Sequence, residues 1–313
     1  MDVSAEKLVW GKDVLSGYRR ARVGAITLVQ PEESAQPSAP RAVVLHVHGR
    51  NDYFFHRHLA DQFLRQGLAF VAVDMRRAGR SLERGDLPHH VDNIDDLADD
   101  IDAAVRTVAQ LWAGIPVIIH AHSTGGLAAA VWAARHPEAP VAGMILNSPH
   151  FGLRLTRSER MKMVAVPWVA KLNSTRHVVR ASPTYALRQH RDHGGRWDFD
   201  TAWKHIDGDL VTAGWLAAVS HAHRELSRGV EMPFPMLIAR ADSTGPDRED
   251  NPRLDEQDTV IDVEAIARMR THLHGQIQDV VIDGAVHDLC LSAPAPRQRY
   301  FDAVTAWLDE VLA

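Results

Sequence analysis

Compact apolar runs alternate along this chain with segments whose apolar residues recur at helical spacing. Residues 42–47, 68–73, 117–119, 141–146, 234–238 and 280–282 are short and mostly apolar, as strands buried on both faces are. Between them, 53–65 reads as a helix. From Asp92 a longer helix carries Ile94, Leu97, Ala98, Ile101, Val105, Val108 and Trp112 on one stripe, with Asp95, Asp96, Asp99 and Asp102 mostly off it. Further helices are expected after Ser123, from about Val263 and over 298–312. Residues 7–28 alternate loosely and predict two antiparallel strands, and 30–40, rich in Pro, Ser and Glu, is a surface turn. This alternation of strands and helices predicts an α/β fold with a mostly parallel central sheet flanked by helices.

The alternation stops at His150. Residues 150–232 read as mostly helical pieces broken at Pro167, Pro183 and Gly194-Gly195, after which a strand returns. The pattern predicts a core of 1–149 and 233–313 and a helical lid of 150–232 inserted after the sixth strand. Trp168, Trp197, Trp203 and Trp215 are read as lid core, and the apolar pieces 163–169 and 215–219 are candidates for lining an apolar pocket. The insertion carries 13 Lys and Arg against 8 Asp and Glu, a net +5 in a chain of net −5, so the remainder is −10. Arg154, Arg157, Arg160 and Lys162 are read as a solvated face, with attraction of an anionic substrate as the alternative.

Composition narrows the function classes. A net charge of −5 and a pI near 6.4 give no global basic field for nucleic acid or an anionic membrane. No apolar run approaches the roughly 20 residues of a membrane span. A single cysteine, Cys290, excludes an intrachain disulfide and fits a reducing compartment. Residues 1–12 lack a basic region followed by an apolar one, so no signal peptide is expected, and a cytoplasmic location is.

The chemistry centres on Ala121-His122-Ser123-Thr124-Gly125, a G-x-S-x-G pattern with Ala first. On a sharp strand-to-helix turn this serine has an exposed hydroxyl and a strained backbone. A serine nucleophile needs a base, a group to orient it and donors for an oxyanion. His287, in Gly284-Ala285-Val286-His287, follows the last strand and should stand at the same sheet edge. The backbone amides of Thr124 and Arg50 are the expected oxyanion donors. His46 and His48 form an H-x-H pair resembling metal ligands, but no matching set appears on later strands, so no metal is expected. Asp74 with Arg76 is read as structural, a strand-end carboxylate that caps a loop turn.

In order, the His48-Gly49 loop, Asp74-x-Arg76-x-x-Gly79-x-Ser81, the serine turn, the insertion at His150 and the late His287 resemble the α/β-hydrolase fold, most closely its lysophospholipase and monoacylglycerol-lipase-like branch. The resemblance covers nearly the whole chain. It implies a Ser-acid-His triad that hydrolyses a small-molecule carboxylic ester without a cofactor. Ala121 stands for the usual first Gly, and Arg77 and Ala78 stand where the family often has Gly and His. Two carboxylates compete for the acid. Asp242 lies just after strand 234–238. Asp258 lies beyond a polar excursion, 240–257, but is followed by apolar residues and a helix as in the family, and it is favoured. Asp262 is read as a helix N-cap. Amide or C–C hydrolysis with the same triad, a slow ligand-binding protein and a metallohydrolase using His46 and His48 are the rival readings.

Overall fold

The computed structural model describes residues 8–153 and 157–313. Strands β1 (Gly11–Lys12), β2 (Tyr18–Val23) and β3 (Ile26–Pro31) lead in as an antiparallel edge. Then come β4 (Val43–Val47), α1 (Arg57–Arg65), β5 (Ala69–Asp74), α2 (Ile94–Leu111), β6 (Val117–His122), α3 (Ser123–Arg135) and β7 (Val141–Asn147). The next stretch holds α4 (Arg157–Met163), α5 (Val166–Leu172), β8 (His177–Arg180), α6 (Thr184–Gln189), β9 (Leu210–Thr212), α7 (Ala213–Leu226) and β10 (Val230–Glu231). The chain closes with β11 (Met236–Ala241), α8 (Val263–Arg270), β12 (Leu273–His274), β13 (Ile277–Ile282) and α9 (Pro294–Val311).

One nine-stranded sheet runs in the order β1-β2-β3-β5-β4-β6-β7-β11-β13. From β5 to β13 every neighbouring pair is parallel, so all these strands end at one edge. Alternate residues of each strand feed different cores. Val43, Leu45, Val47, Val71 and Ile119 pack with α2, α3 and α7, while Val44, Phe70, Ile118 and Leu237 pack with α1 and α9. Burial on both faces is why these strands are continuously apolar in sequence. Asp74, at the end of β5, is fully buried; its carboxylate accepts from the amides of Phe54 and Arg80, both at 2.9 Å, and pairs with the Arg80 guanidinium at 2.8 Å. Arg76 points elsewhere, to Asp96 and Asp100 on α2. Arg77 takes φ = +56°, a left-handed conformation that glycine adopts without strain.

Several boundaries differ from the sequence reading. The helix expected over 53–65 begins only at Arg57, because Tyr53, Phe54 and Phe55 turn into the core ahead of it. The last helix begins at Pro294: prolines fit a first helical turn, whose N–H groups have no intrahelical partner. The strand expected at 280–282 begins at Ile277. The two-residue β1 makes the strand before the insertion the seventh of the chain. The insertion also contains a small antiparallel ribbon, β8 with β9. Its tryptophans divide. Trp197 and Trp203 pack against Tyr53, Phe55 and Phe199, and Trp215 joins the main core, but Trp168 is 71% exposed and is not core. Arg154 and the side chains of Arg157 and Arg160 lie outside the described residues. Lys162 is exposed at the mouth of the cavity described below.

Candidate active site

Strand β6 ends at His122, and α3 starts at Ser123 with no intervening loop. The turn forces Ser123 to φ = +50°, in the left-handed region that costs a non-glycine residue roughly 1–2 kcal/mol. Close packing of two backbones builds the surroundings. A Cβ on Gly125 would lie 2.3 Å from the His48 carbonyl oxygen, and one on Gly49 would lie 2.9 Å from the Ser123 Cβ. Only glycine allows that approach, which brings the loop after β4, with Arg50, against the first turn of α3, with Thr124. Arg50, Ser123, Thr124 and His287 all line one cavity.

His287 stands on the loop after β13. Its Nδ1–H donates to Asp258 Oδ2 at 2.8 Å, which leaves Nε2 to accept from the Ser123 hydroxyl at 2.9 Å. All three side chains are buried. Asp258 Oδ1 accepts from the amides of Val260 and Ile261, at 2.8 and 2.9 Å, so the carboxylate is fixed from behind. Asp242 is engaged differently: it accepts from the Gly284 amide at 2.9 Å and faces Arg253. Asp262 caps α8 by accepting from the Glu264 amide at 3.1 Å.

The insertion reaches into this site at several points that sequence reasoning missed. The Tyr185 hydroxyl accepts from the Asp288 amide at 2.9 Å, and its ring stands edge-on to the His287 imidazole, 6.0 Å between centroids. Lys204 Nζ donates to Asp52 Oδ1 at 3.0 Å, both buried. Burial alone would raise the Asp52 carboxyl; the Lys204 ammonium and neighbouring His122 hold it well below the usual carboxylate range. The buried Arg50 guanidinium pairs with Asp209, donates to the Leu210 carbonyl at 2.9 Å and lies 4.7 Å from the Trp215 ring centre. His150, just past β7, also lines the cavity; burial, reinforced by His223, pushes its imidazole down to about 3.

His46 and His48 are not brought together. His46 Nδ1 meets His120 Nδ1 at 2.9 Å beside α1 and α9. His48 Nε2 accepts from the Met75 amide at 3.0 Å, and its Nδ1–H donates to the Gly49 carbonyl. Among the described residues, the one converging set of metal-type ligands is Asp52, His56 and Asp288. That set is already engaged: Lys204 holds Asp52, while His56 and the Asn147 amide hold Asp288 at 3.1 and 2.7 Å.

The cavity above Ser123 has a volume of about 500 Å³. Its walls come largely from the insertion and are apolar: Met163, Val166, Val169, Val178, Val211, Trp215 and Leu216. Its floor is polar, with Asp52, His122, Ser123, Lys204 and His287.

A parallel sheet with a serine on the turn after a central strand, and a histidine after the last strand, defines an α/β-hydrolase. A soluble variant of monoglyceride lipase from Saccharomyces cerevisiae, solved with a substrate analogue, has the same fold. The TM-score is 0.66 at 16% identity, covering 97% of this chain and 95% of that one. The chain belongs to the serine aminopeptidase S33 family (Hydrolase_4), whose family model matches residues 38–251. It is similar to phospholipase YtpA of Bacillus subtilis, 26% identical over 128 residues, covering 40% of this chain and 47% of that protein. It is also similar to monoacylglycerol lipase of Mycolicibacterium smegmatis, 29% identical over 135 residues, covering 43% of this chain and 46% of that protein. The chain spans about half the length of the curated relatives it matches.

Proposed function

We propose that this protein hydrolyses carboxylic esters with an acyl chain of small to medium length, through Ser123, His287 and Asp258. The observation that carries the reading is the buried chain of hydrogen bonds from Ser123 through His287 to Asp258, at the floor of an apolar cavity. Ser123 Oγ attacks the ester carbonyl carbon as its proton passes to His287 Nε2. The carbonyl oxygen becomes an oxyanion, held by the amides of Thr124 and Arg50. As the intermediate collapses, His287 returns the proton to the departing alcohol and an acyl-serine remains. A water, deprotonated by His287, then attacks the acyl carbon, and the acid leaves as Ser123 regains its proton. Asp258 stays ionised, holds the imidazole in the productive tautomer and stabilises the imidazolium.

The insertion, residues 150–232, acts as a lid whose apolar inner wall receives the acyl chain and excludes water. A peptide α-ammonium would instead seek an unpaired carboxylate. Of the carboxylates that line the cavity, Asp52 and Asp209 are neutralised by Lys204 and Arg50, Asp247 accepts from the Tyr185 amide and the Thr259 hydroxyl, and Glu159 is also engaged. The test is a panel of aryl esters of graded acyl length, run beside covalent labelling with a fluorophosphonate. Turnover and labelling should both vanish in Ser123→Ala, a loss of roughly four to six orders of magnitude in rate. Labelling that survives in the variant would place the nucleophile elsewhere.

A further inference from the structure

Helices α4 and α5 carry apolar side chains on two opposite sides. Met163, Val166 and Val169 line the cavity. Met161, Val164, Trp168 and Leu172 face away from it and are 78, 75, 71 and 89% exposed. Their spacing of three, four and four residues puts them on one helical stripe. The turn between the helices carries the stripe across, since the Val164 amide donates to the Met161 carbonyl and the Ala165 amide to the Lys162 carbonyl. A helix lying on a protein surface normally sets polar residues opposite its buried face. Four large apolar side chains standing together in water instead mark a face made to meet another apolar phase.

The charge around the stripe says which phase. Lys162 and Lys171 lie on the same two helices, exposed, and among the described residues no acidic side chain forms an ion pair with either. Arg176 follows, also exposed. The stripe belongs to the part of the chain with a net charge of +5, whereas the remainder is −10. An exposed Trp and Leu flanked by lysines is the composition of a helix that lies in a membrane interface. No helix among the described residues is long and apolar enough to cross a membrane, so the contact is with a surface.

We propose that the α4–α5 face docks on an anionic lipid bilayer. Trp168 and Leu172 enter the boundary between headgroups and acyl chains, while Lys162 and Lys171 meet the anionic headgroups. Met163 and Val166 line the cavity from the opposite side of the same helices, so docking sets these two helices between the bilayer and the cavity. Docking needs no turnover and stands apart from the ester reading.

The test uses the full chain carrying Ser123→Ala, so that no lipid is consumed, in flotation with vesicles. The protein should float with phosphatidylcholine vesicles containing about one-third phosphatidylglycerol, and not with phosphatidylcholine alone. Molar salt should release part of it. Trp168→Glu with Leu172→Glu should weaken partition at least about tenfold, and Lys162→Glu with Lys171→Glu should abolish the preference for anionic lipid. Trp168→Ala with Leu172→Ala provides a milder pair should the Glu pair melt early. Three results would overturn the proposal: no flotation on anionic vesicles, flotation unchanged in both Trp168/Leu172 pairs, or a concentration-dependent dimer lost in those pairs while vesicles are ignored.

Discussion

Thr244 and Asp258 stand side by side as an isolated parallel bridge, although 13 residues separate them. The Asp258 amide donates to the Ser243 carbonyl, and the Gly245 amide donates to the Asp258 carbonyl, both at 3.0 Å. The chain therefore leaves the end of β11, makes an excursion and returns to where it left. That return delivers a carboxylate from far along the sequence to the edge of the sheet beside His287. Asp258→Asn should lower ester turnover by about 10⁴, because the amide favours the wrong imidazole tautomer. Asp242→Asn should cost far less. Steady-state rates on one aryl ester, with a melting curve for each variant, decide this; the reverse ranking would move the acid to Asp242.

Lys204 and Asp52 form a buried ion pair between the insertion and the loop after β4. Removing one partner strands the other charge in a dry setting, which typically costs 3–5 kcal/mol, roughly. Lys204→Met should therefore destabilise strongly, and adding Asp52→Leu should recover much of the loss. Chemical denaturation of the two variants provides the measurement. A single variant as stable as the parent would mean that solvent reaches the pair.

Gly49 tests the backbone approach at the serine. A methyl group there would sit 2.9 Å from the Ser123 Cβ and 3.1 Å from His122 Nδ1. Gly49→Ala should force the loop carrying the Arg50 amide away from Ser123. The expectation is a loss of about 1–3 kcal/mol in stability from overpacking. Loss of one oxyanion donor would add a fall in kcat of roughly 10²–10³. Normal kcat in a folded Gly49→Ala protein would remove Arg50 from the oxyanion site.

Stability should decline on mild acidification. Burial pushes the imidazoles of His120 and His150 down to about 3 and that of His46 well below 6.5. Below pH 6.5 the unfolded chain takes up protons at these histidines that the folded chain refuses. Each then costs about 1.4 kcal/mol per pH unit, until the folded site itself titrates. The melting temperature should hold near neutrality and fall steadily from pH 6.5 towards 3. Replacing His46 with Phe should flatten that fall; a flat profile in the parent protein would contradict the burial.

How much was legible in advance follows from what each element depends on. The serine turn and His287 are local: each sits on a short connection directly after a strand and reads from its own neighbours. Asp258 was legible through the apolar residues and helix that follow it. Lys204 and Asp209 carried no local signal, because their partners Asp52 and Arg50 lie 152 and 159 residues away. Trp168 misled for a different reason. Helix α5 is apolar on both sides, so periodicity could not separate the side that lines the cavity from the side that faces out. His46 and His48 share a strand-end pattern with metal ligands, but β4 ends at Val47, and the two rings find different partners.

The ion pairs Arg50–Asp209 and Lys204–Asp52 have a consequence for exchanging parts between relatives. Both tie the second half of the insertion to three consecutive residues, Arg50, Asn51 and Asp52, and Asn51 adds hydrogen bonds to the His205 backbone at 2.8 and 2.9 Å. That half is therefore inherited with the loop after β4 as one electrostatic unit. A chimera that imports residues 199–212 from a relative must import 50–52 as well or bury unpaired charge. Helices α4 and α5 lie outside these ties, so the part of the apolar wall formed by Met163, Val166 and Val169 can diverge while the loop that faces the serine stays as it is.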